Sequence, residues 1–239
     1  MALKSVLYDG DRFEISYTIF NPQAKNDFII LHGWGSNKEL MSGAFSTTLK
    51  NFRHIYIDMP GFGKSSCHRV LTTSDYAKIL ELFFQEIGIK KEIILGHSFG
   101  GKVATLLEPE LLVLVASAGI VVPKSFSVKT KITLFKLLKN LGFSKMRSLF
   151  VAEDAKELSH EMYETFKNVV DEDFSQKFQA REKQTLLFWG KADSATPLSS
   201  AKKIEQLCKK SSLKVYEGDH YFFMKHAEDI GKNIEHYLP

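Results

Sequence analysis

Short apolar runs alternate with longer amphipathic stretches along this chain, and this alternation constrains the fold more than any other feature of the sequence. The runs at 28–32 and 92–96 are apolar at nearly every position, as strands are when helices cover both faces of a sheet. The stretches between such runs carry apolar residues at helical spacing. Strands that alternate with helices predict an α/β fold on a mostly parallel sheet.

The same patterns predict the individual elements. Two runs on either side of Gly10-Asp11 predict an antiparallel hairpin at the start of the chain. The later predicted strands are 28–32, 54–58, 92–96, 111–118, 185–189 and 213–216, and the predicted helices are about 37–49, 73–87, 100–107, 199–207 and 221–237. Together they predict a sheet of about eight strands with helices on its faces.

The alternation stops between 120 and 183, where helical periodicity continues without a convincing strand. One amphipathic stretch contains Ile132, Leu134, Phe135, Leu137, Leu138 and Leu141, and another contains Met162, Phe166, Val169 and Val170. We expect 120–183 to form a helical cap over a core made of 1–119 and 184–239. The length of the whole chain, 239 residues, is compatible with a single α/β domain that carries an insertion.

The composition excludes several classes of protein. Hydrophobic residues make up 44% of the chain, so disorder over most of its length is not expected, and a net charge of +4 is too small to indicate nucleic-acid binding. Cys67 and Cys208 are too few for the disulfide framework of a secreted domain. The N-terminus matches no targeting signal, and no apolar run approaches the roughly 20 residues of a spanning helix. These features predict a cytosolic protein with reduced thiols.

The segment Gly96-His97-Ser98-Phe99-Gly100 matches the pattern G-x-S-x-G. It directly follows a predicted strand and precedes a predicted helix, the context in which this pattern presents a nucleophilic serine. Side chains at Gly96 and Gly100 would collide in such a turn, which would lift the Ser98 hydroxyl clear of the sheet edge. Because a serine hydroxyl is a weak nucleophile near neutral pH, a base has to take its proton.

Three motifs, in order and spacing, resemble those of the α/β-hydrolase superfamily. They are His32-Gly33-Trp34-Gly35, Asp58-Met59-Pro60-Gly61-Phe62-Gly63-Lys64-Ser65 and the segment 96–101, each after a predicted strand. The resemblance runs over almost the whole chain and implies an α/β-hydrolase fold. It also implies an oxyanion hole formed by the backbone N–H groups of Trp34 and Phe99.

The resemblance also indicates which histidine is the base. His220 lies between the last predicted strand and the final helix, where this family has its catalytic histidine. His226 and His236 lie inside that helix and are expected to be solvated or packed. His97 precedes the nucleophile and is expected to point away from it. We therefore predict His220 as the base.

The orienting acid is expected after a late strand. Asp193 follows the strand at 185–189 in the spacing G-x-x-D that is typical of the family. Some relatives have this acid one strand earlier, but no Asp or Glu occurs between Glu110 and Glu153. Asp219 is the main alternative, and its position next to His220 makes side-chain pairing awkward. Asp193 would hold His220 in the tautomer that accepts the Ser98 proton.

Two other kinds of site are not supported. The segment 61–65 resembles part of a nucleotide-binding loop, but Asp58 and Ser66 stand where the complete motifs need glycine. Cys67-His68 is an isolated pair, and Cys208 has no potential ligand near it, so no metal-ligand spacing is present. We expect neither a cofactor nor a metal.

The predicted cap is basic. Between 124 and 147 the basic residues are Lys124, Lys129, Lys131, Lys136, Lys139, Lys145 and Arg147, and no residue in this range is acidic. A solvated helix face would account for them; the alternative is a surface that docks an acyl carrier protein or an anionic membrane. The 32–35 motif and the short basic cap resemble the carrier-protein methyl ester esterases of biotin synthesis, which often have tryptophan in place of His97.

These features predict a serine hydrolase that cleaves carboxylic esters through an acyl-enzyme. An alternative is a hydrolase that cleaves a carbon–carbon bond in ring-cleavage products, because those enzymes share the triad and a helical cap. A second alternative is a binding module on a hydrolase fold, because a fold does not establish a function. The serine at 98 argues against the haloalkane dehalogenases and epoxide hydrolases, in which the corresponding residue is an aspartate.

Overall fold

A computed structural model describes residues 2–121 and 159–238. Their strands form one sheet in the order β1-β2-β4-β3-β5-β6-β7-β8. The strands are β1 (Ala2–Tyr8), β2 (Asp11–Phe20), β3 (Asn26–Leu31), β4 (Phe52–Ile57), β5 (Ile93–His97), β6 (Leu111–Val115), β7 (Thr185–Gly190) and β8 (Ser211–Tyr216). The helices are α1 (Lys38–Phe45), α2 (Thr73–Ile87), α3 (Phe99–Leu106), α4 (His160–Val170), α5 (Ser175–Ala180), α6 (Leu198–Leu207) and α7 (Phe223–Glu235).

The hairpin predicted at the start of the chain is confirmed. β1 pairs antiparallel with β2, and the register closes at Tyr8 opposite Asp11. Asp9 and Gly10 form the turn with φ values of 52° and 84°, and positive φ at both positions is what a type I′ hairpin turn requires. β2 is also antiparallel to β4, and all later strand pairs are parallel.

The order of the central strands places a crevice at one edge of the sheet. From β3 the chain passes through α1 to β4 on one side, and from β4 it passes through α2 to β5 on the other side of β3. The connections therefore leave the carboxyl ends of β3 and β5 in opposite directions. Parallel sheets bind ligands at such a reversal of strand order, beyond the carboxyl ends of the strands.

Helices cover both faces of the sheet, which explains why the strands are apolar at almost every position. Along β3, Ile29 and Leu31 pack in the cluster that also contains residues of α2, α3 and α6. Phe28 and Ile30 point to the opposite face and pack with residues of α1 and α7. The two buried clusters form a three-layer core, in agreement with the predicted fold class.

Local capping chemistry explains the helix boundaries. The α2 helix has the predicted bounds because Thr72 and Asp75 form a reciprocal capping box at its start and Gly88, at φ 64°, ends it. Asn37 caps α1 by accepting a hydrogen bond from the Leu40 N–H, and the helix ends at Phe45, four residues before the predicted end.

The predicted cap lies only partly within the described residues. α4 occupies the second predicted amphipathic stretch, with Met162 and Val169 buried and Val170 exposed. α5 follows it as a short helix that the periodicity did not indicate. The first amphipathic stretch and the basic residues between 124 and 147 lie outside the described residues, so the boundaries of the cap stay a prediction. Within 2–121 and 159–238, no helix is long and apolar enough to span a bilayer.

Candidate active site

Ser98 occupies the turn between β5 and α3, at the crevice beside β3. Its backbone has φ 51° and ψ −116°, a conformation that is unfavourable for a residue with a Cβ and that is typical of functional sites. The Ser98 N–H donates to the Val115 carbonyl at 3.1 Å, and its carbonyl accepts from the N–H groups of Gly101 at 3.0 Å and Ala118 at 3.1 Å. These bonds hold the strained residue against β6 and the first turn of α3.

The two glycines of the motif make this turn possible. A Cβ at Gly96 would come closer than 3.0 Å to the carbonyl oxygen of Gly100. A Cβ at Gly100 would lie 2.5 Å from the carbonyl oxygen of His32. In both cases the colliding atom belongs to the backbone and cannot rotate away, so α3 can approach β5 and β3 this closely only with glycine at these positions.

The loop after β3 lies directly against Ser98. A Cβ at Gly33 would lie 3.1 Å from the Cβ of Ser98, so the backbone next to Trp34 is in van der Waals reach of the serine. The Trp34 ring packs edge-on against Phe99 and Phe62, with centroids 5.5 and 4.9 Å apart. Phe99 is the first residue of α3, where helix geometry leaves the backbone N–H without an intrahelical acceptor.

His32 fastens this loop to the one that follows β4. Its Nδ1 lies 2.7 Å from the Gly33 carbonyl, and its Nε2 lies 3.0 Å from the Met59 nitrogen. Only the tautomer with a proton on Nδ1 satisfies both, because Nε2 then accepts from the Met59 N–H. Burial lowers the pKa of His32 to about 4, so the ring is neutral near pH 7. Since both ring nitrogens are engaged, we assign His32 a structural role.

Asp58, at the start of the second family motif, also serves to hold a loop. Its buried carboxylate accepts from the Lys38 ammonium at 2.6 Å and from the N–H groups of Lys38 at 2.8 Å and Lys64 at 3.0 Å. Burial raises the pKa of Asp58, but these donors outweigh burial and the net pKa is lowered. Glu39 also pairs with the Lys38 ammonium, at 2.8 Å.

Asp193 and His220 are brought together by the loops after β7 and β8. Backbone bonds join these loops, with the Ala192 N–H donating to the Gly218 carbonyl at 2.9 Å. The Nδ1 of His220 lies 2.8 Å from Oδ2 of Asp193. The Asp193 side chain is fully buried and that of His220 is 16% exposed. The Asp193 carboxylate is therefore enclosed in the protein, whereas the His220 ring is partly accessible.

Thr196 completes the surroundings of Asp193, and the sequence patterns did not indicate it. Oδ1 of Asp193 accepts from the N–H groups of Ala195 and Thr196, both at 2.9 Å, and Oδ2 lies 2.8 Å from the Thr196 hydroxyl. Burial raises the pKa of Asp193, but the bonds from His220 and Thr196 outweigh it and the net pKa is lowered. The carboxylate is thus ionised near neutral pH.

Asp219, the alternative acid, makes a different contact. Its Oδ1 accepts from the Tyr221 N–H at 2.9 Å, two residues along the chain. This local turn uses the carboxylate to shape the loop that carries His220. The acid that the structure places on the imidazole of His220 is Asp193.

A cavity of about 310 Å³ opens where these elements meet. Its lining residues are Trp34, Ser98, Phe99, Lys102, Ala118, Phe166, Val169, Val170, Ala195, His220 and Tyr221. Most of this wall is apolar or aromatic, and α4 supplies Phe166, Val169 and Val170. Ser98 and His220, predicted as nucleophile and base, therefore line the same cavity.

Lys102 is a further residue that the sequence patterns did not single out. It is 1% exposed, and its ammonium donates to the Val169 carbonyl and lies 3.3 Å from Oε2 of Glu172. The Glu172 carboxylate also accepts from the Thr73 hydroxyl. Burial lowers the pKa of Lys102. These contacts tie α3 to the C-terminal end of α4, and the dipole of α4 favours a cation at that end.

Comparison with known proteins agrees with the fold described above. A family model described as the alpha/beta hydrolase fold matches residues 27–109. A pimeloyl-[acyl-carrier protein] methyl ester esterase of Proteus mirabilis is 35% identical over 83 residues, which are 35% of this chain and only 31% of that esterase. A putative esterase/lipase of Mycoplasma pneumoniae is 23% identical over 96% of this chain and 91% of its own length. An esterase from Exiguobacterium antarcticum has the same fold, with a TM-score of 0.74, 21% identity and coverage of 94% of this chain and 95% of its own.

Proposed function

We propose that this chain, which has the α/β-hydrolase fold and matches the model of that family over residues 27–109, is an enzyme that hydrolyses carboxylic esters through an acyl-enzyme on Ser98. His220 is the base and Asp193 is the acid that orients it. The observation that carries the proposal is the 2.8 Å contact between His220 Nδ1 and the buried Asp193 carboxylate, beside a cavity lined by both Ser98 and His220.

The Asp193 carboxylate determines which nitrogen of His220 can act as a base. An ionised carboxylate only accepts hydrogen bonds, so Nδ1 of His220 carries the proton that it shares with Asp193. Nε2 is then the nitrogen with a free lone pair. In the proposed mechanism, this nitrogen takes the proton of the Ser98 hydroxyl.

In the acylation step, the Ser98 oxygen attacks the ester carbonyl carbon while its proton passes to Nε2 of His220. The carbonyl oxygen takes the negative charge, and the N–H groups of Trp34 and Phe99 donate to it. Loss of one such donor typically costs about 3 kcal/mol of transition-state stabilisation. Asp193 stabilises the imidazolium that forms. The ester C–O bond then breaks, and the proton on Nε2 passes to the departing alcohol.

Deacylation repeats the sequence with water as the nucleophile. His220 takes a proton from water, the hydroxide oxygen attacks the acyl carbon, and the bond to Ser98 breaks as the serine oxygen takes the proton back. The products are a carboxylic acid and an alcohol. Every proton transfer in this cycle is made by His220, and no cofactor is part of the proposal.

The lining of the cavity favours an apolar group next to the scissile bond. Trp34, Phe99, Phe166 and Val169 present aromatic and aliphatic surface. Transfer of apolar surface out of water stabilises the bound state by about 25 cal/mol per Å². We therefore propose esters of small apolar acids as the first substrates to test.

Labelling with a fluorophosphonate probe, followed by hydrolysis assays on p-nitrophenyl esters, tests the proposal. We expect modification at Ser98 and ester turnover, both abolished in Ser98→Ala. Ser42→Ala is the matched control, because its hydroxyl donates to the Glu39 carbonyl within α1. Turnover of Ser98→Ala near the wild-type rate would refute the assignment of the nucleophile.

The same assays separate the two alternatives. If Ser98 is labelled but only a dienoate ring-cleavage product is consumed, the enzyme hydrolyses a carbon–carbon bond. If the folded protein is not labelled at all, the chain is a binding module with the hydrolase fold.

Docking of an acyl carrier protein is a finer hypothesis about the same site. It rests on the basic residues between 124 and 147 and on the name of the Proteus mirabilis relative. An electrostatic complex weakens as salt screens its charges. If affinity for an acyl carrier protein is unchanged up to about 0.3 M salt, or if no complex forms, this hypothesis is wrong.

A further inference from the structure

His97 is a buried titratable residue that the proposed mechanism does not use. It is the last residue of β5, is 1% exposed and stands next to the nucleophile in the chain. Its ring lies against the ring of His220, with centroids 4.7 Å apart, and 4.8 Å from the ring of Phe223. The residue therefore contacts the proposed base from inside the protein.

One edge of the His97 ring holds the loop that carries the base. Nε2 lies 3.2 Å from the backbone carbonyl oxygen of His220. A carbonyl only accepts, so Nε2 carries the proton and donates it to His220. The bond is made to the backbone of the proposed base itself. A shift of the His97 ring would therefore displace the backbone from which the His220 side chain extends.

The Nδ1–Cε1 side of the ring packs against the loop that carries a proposed oxyanion donor. A Cβ at Gly33 would lie 2.9 Å from Nδ1 and 3.3 Å from Cε1 of His97. The Gly33 backbone is thus in direct contact with the imidazole, immediately before Trp34. A single rigid ring fills the space between the Gly33-Trp34 loop and the backbone of His220.

The chemistry of the ring is consistent with a neutral spacer. Nδ1 is buried and, among the residues that the structure describes, has no hydrogen-bonding partner. Burial lowers the pKa of His97 to about 3, so the ring carries no charge near pH 7. An apolar ring of similar size would avoid the cost of the unpaired nitrogen. Histidine adds the one group that such a ring lacks, the donor to the His220 carbonyl.

We propose that His97 is a positioning residue that sets the separation between the oxyanion loop and the base. The inference rests on the proposed function of Ser98, His220 and Trp34. His97 touches no reacting atom. It acts by keeping the imidazole of His220 and the N–H of Trp34 in the geometry that the transition state requires, where displacements of about 1 Å can cost about 100-fold in rate.

Three substitutions separate the donor from the ring. His97→Gln keeps an amide N–H near the position of Nε2, His97→Asn has its amide nearer the position of Nδ1 and loses the donor, and His97→Phe keeps the ring but not the donor. The number of active sites in each preparation is counted with the fluorophosphonate probe, and kcat and KM for p-nitrophenyl acetate are measured per counted site. Counting active sites removes any effect of a reduced folded fraction.

We expect kcat per site to fall about tenfold or more in His97→Phe and His97→Asn, with KM within about twofold of wild type. His97→Gln is expected to recover most of the loss. If His97→Phe does not fold, the comparison of His97→Asn with His97→Gln carries the test. Wild-type kcat per site in His97→Asn, or an equal loss in His97→Gln and His97→Asn, overturns the inference. An unlabelled wild-type protein would instead overturn the proposed function.

Discussion

Replacement of Asp193 by asparagine removes one charge from the proposed site and little else. Oδ1 of Asp193 accepts from the N–H groups of Ala195 and Thr196 at 2.9 Å, and an asparagine oxygen can keep both bonds. The asparagine NH₂ then takes the place of Oδ2, 2.8 Å from Nδ1 of His220. The Thr196 hydroxyl can accept from this NH₂ while it donates to the Ala116 carbonyl at 3.0 Å. We therefore expect the loop that carries residue 193 to keep its conformation in the variant.

The magnitude of the effect follows from the tautomer of the base. With an NH₂ group opposite Nδ1, His220 accepts at Nδ1 and carries its proton on Nε2. Nε2 can then no longer take the proton of Ser98. In a serine hydrolase with this arrangement, the equivalent change lowers kcat by about 10⁴-fold. At about 1.36 kcal/mol for each factor of ten, this corresponds to about 5.5 kcal/mol of transition-state stabilisation.

The assay is steady-state hydrolysis of p-nitrophenyl acetate, with thermal unfolding to verify that the variant is folded. Asp219→Asn is the matched control, since the Asp219 carboxylate accepts from the Tyr221 N–H and an asparagine oxygen can do the same. We expect the control to keep its activity within about twofold. A rate within about tenfold of wild type for Asp193→Asn, or equal losses in both variants, would refute the reasoning about the tautomer.

Two further predictions concern the loops and turns that support the site. Asp58→Asn is expected to lower the free energy of unfolding by about 3 kcal/mol at pH 7, because the Lys38 ammonium loses its buried partner. Since the pKa of Asp58 is lowered in the folded state, its contribution to stability is present above about pH 4 and is lost as the pH falls. Urea unfolding between pH 7 and pH 3 is therefore expected to show that the free energy of unfolding falls less with decreasing pH in the variant than in the wild type. An equal fall in both proteins would contradict this. Gly96→Ala is expected to cost about 1–3 kcal/mol or more and to reduce labelling of Ser98, because its Cβ meets the Gly100 backbone. Gly43→Ala, in the middle of α1 with open space around it, is the control and is expected to raise the free energy of unfolding by about 0.5–1 kcal/mol; equal unfolding midpoints for the two variants would disprove the steric argument.

The element types were predictable because they depend on patterns that are short in sequence. Burial on two faces makes a strand such as β3 apolar throughout, and the capping residues of α2 lie within the segment that they cap. The turn at Ser98 was predictable for the same reason, because Gly96 and Gly100 stand two residues away on either side. Boundaries were missed where a single backbone angle decides them: β6 ends at Val115, earlier than predicted, and the next residue, Ala116, has φ 46°.

The surroundings of the site were not predictable from such patterns. Thr196 next to Asp193 looks like any loop threonine, and Lys102 looks like an exposed residue of a helix that follows a glycine pair. Each depends on a neighbour from another part of the chain, Thr196 on His220 and Lys102 on Glu172. A pattern that spans only a few residues cannot indicate contacts between residues so far apart in the chain.

The sequence alone thus determined the alternation of strands and helices, the turn that carries Ser98 and a short set of candidate bases and acids. The tertiary structure decided which candidates meet. The reversal of strand order at β3 and the bonds between the loops after β7 and β8 bring Asp193 to His220, and they set His97 between His220 and Gly33. The physical reason is that patterns along a chain report which face of an element is buried, whereas the contacts between side chains depend on how the elements pack.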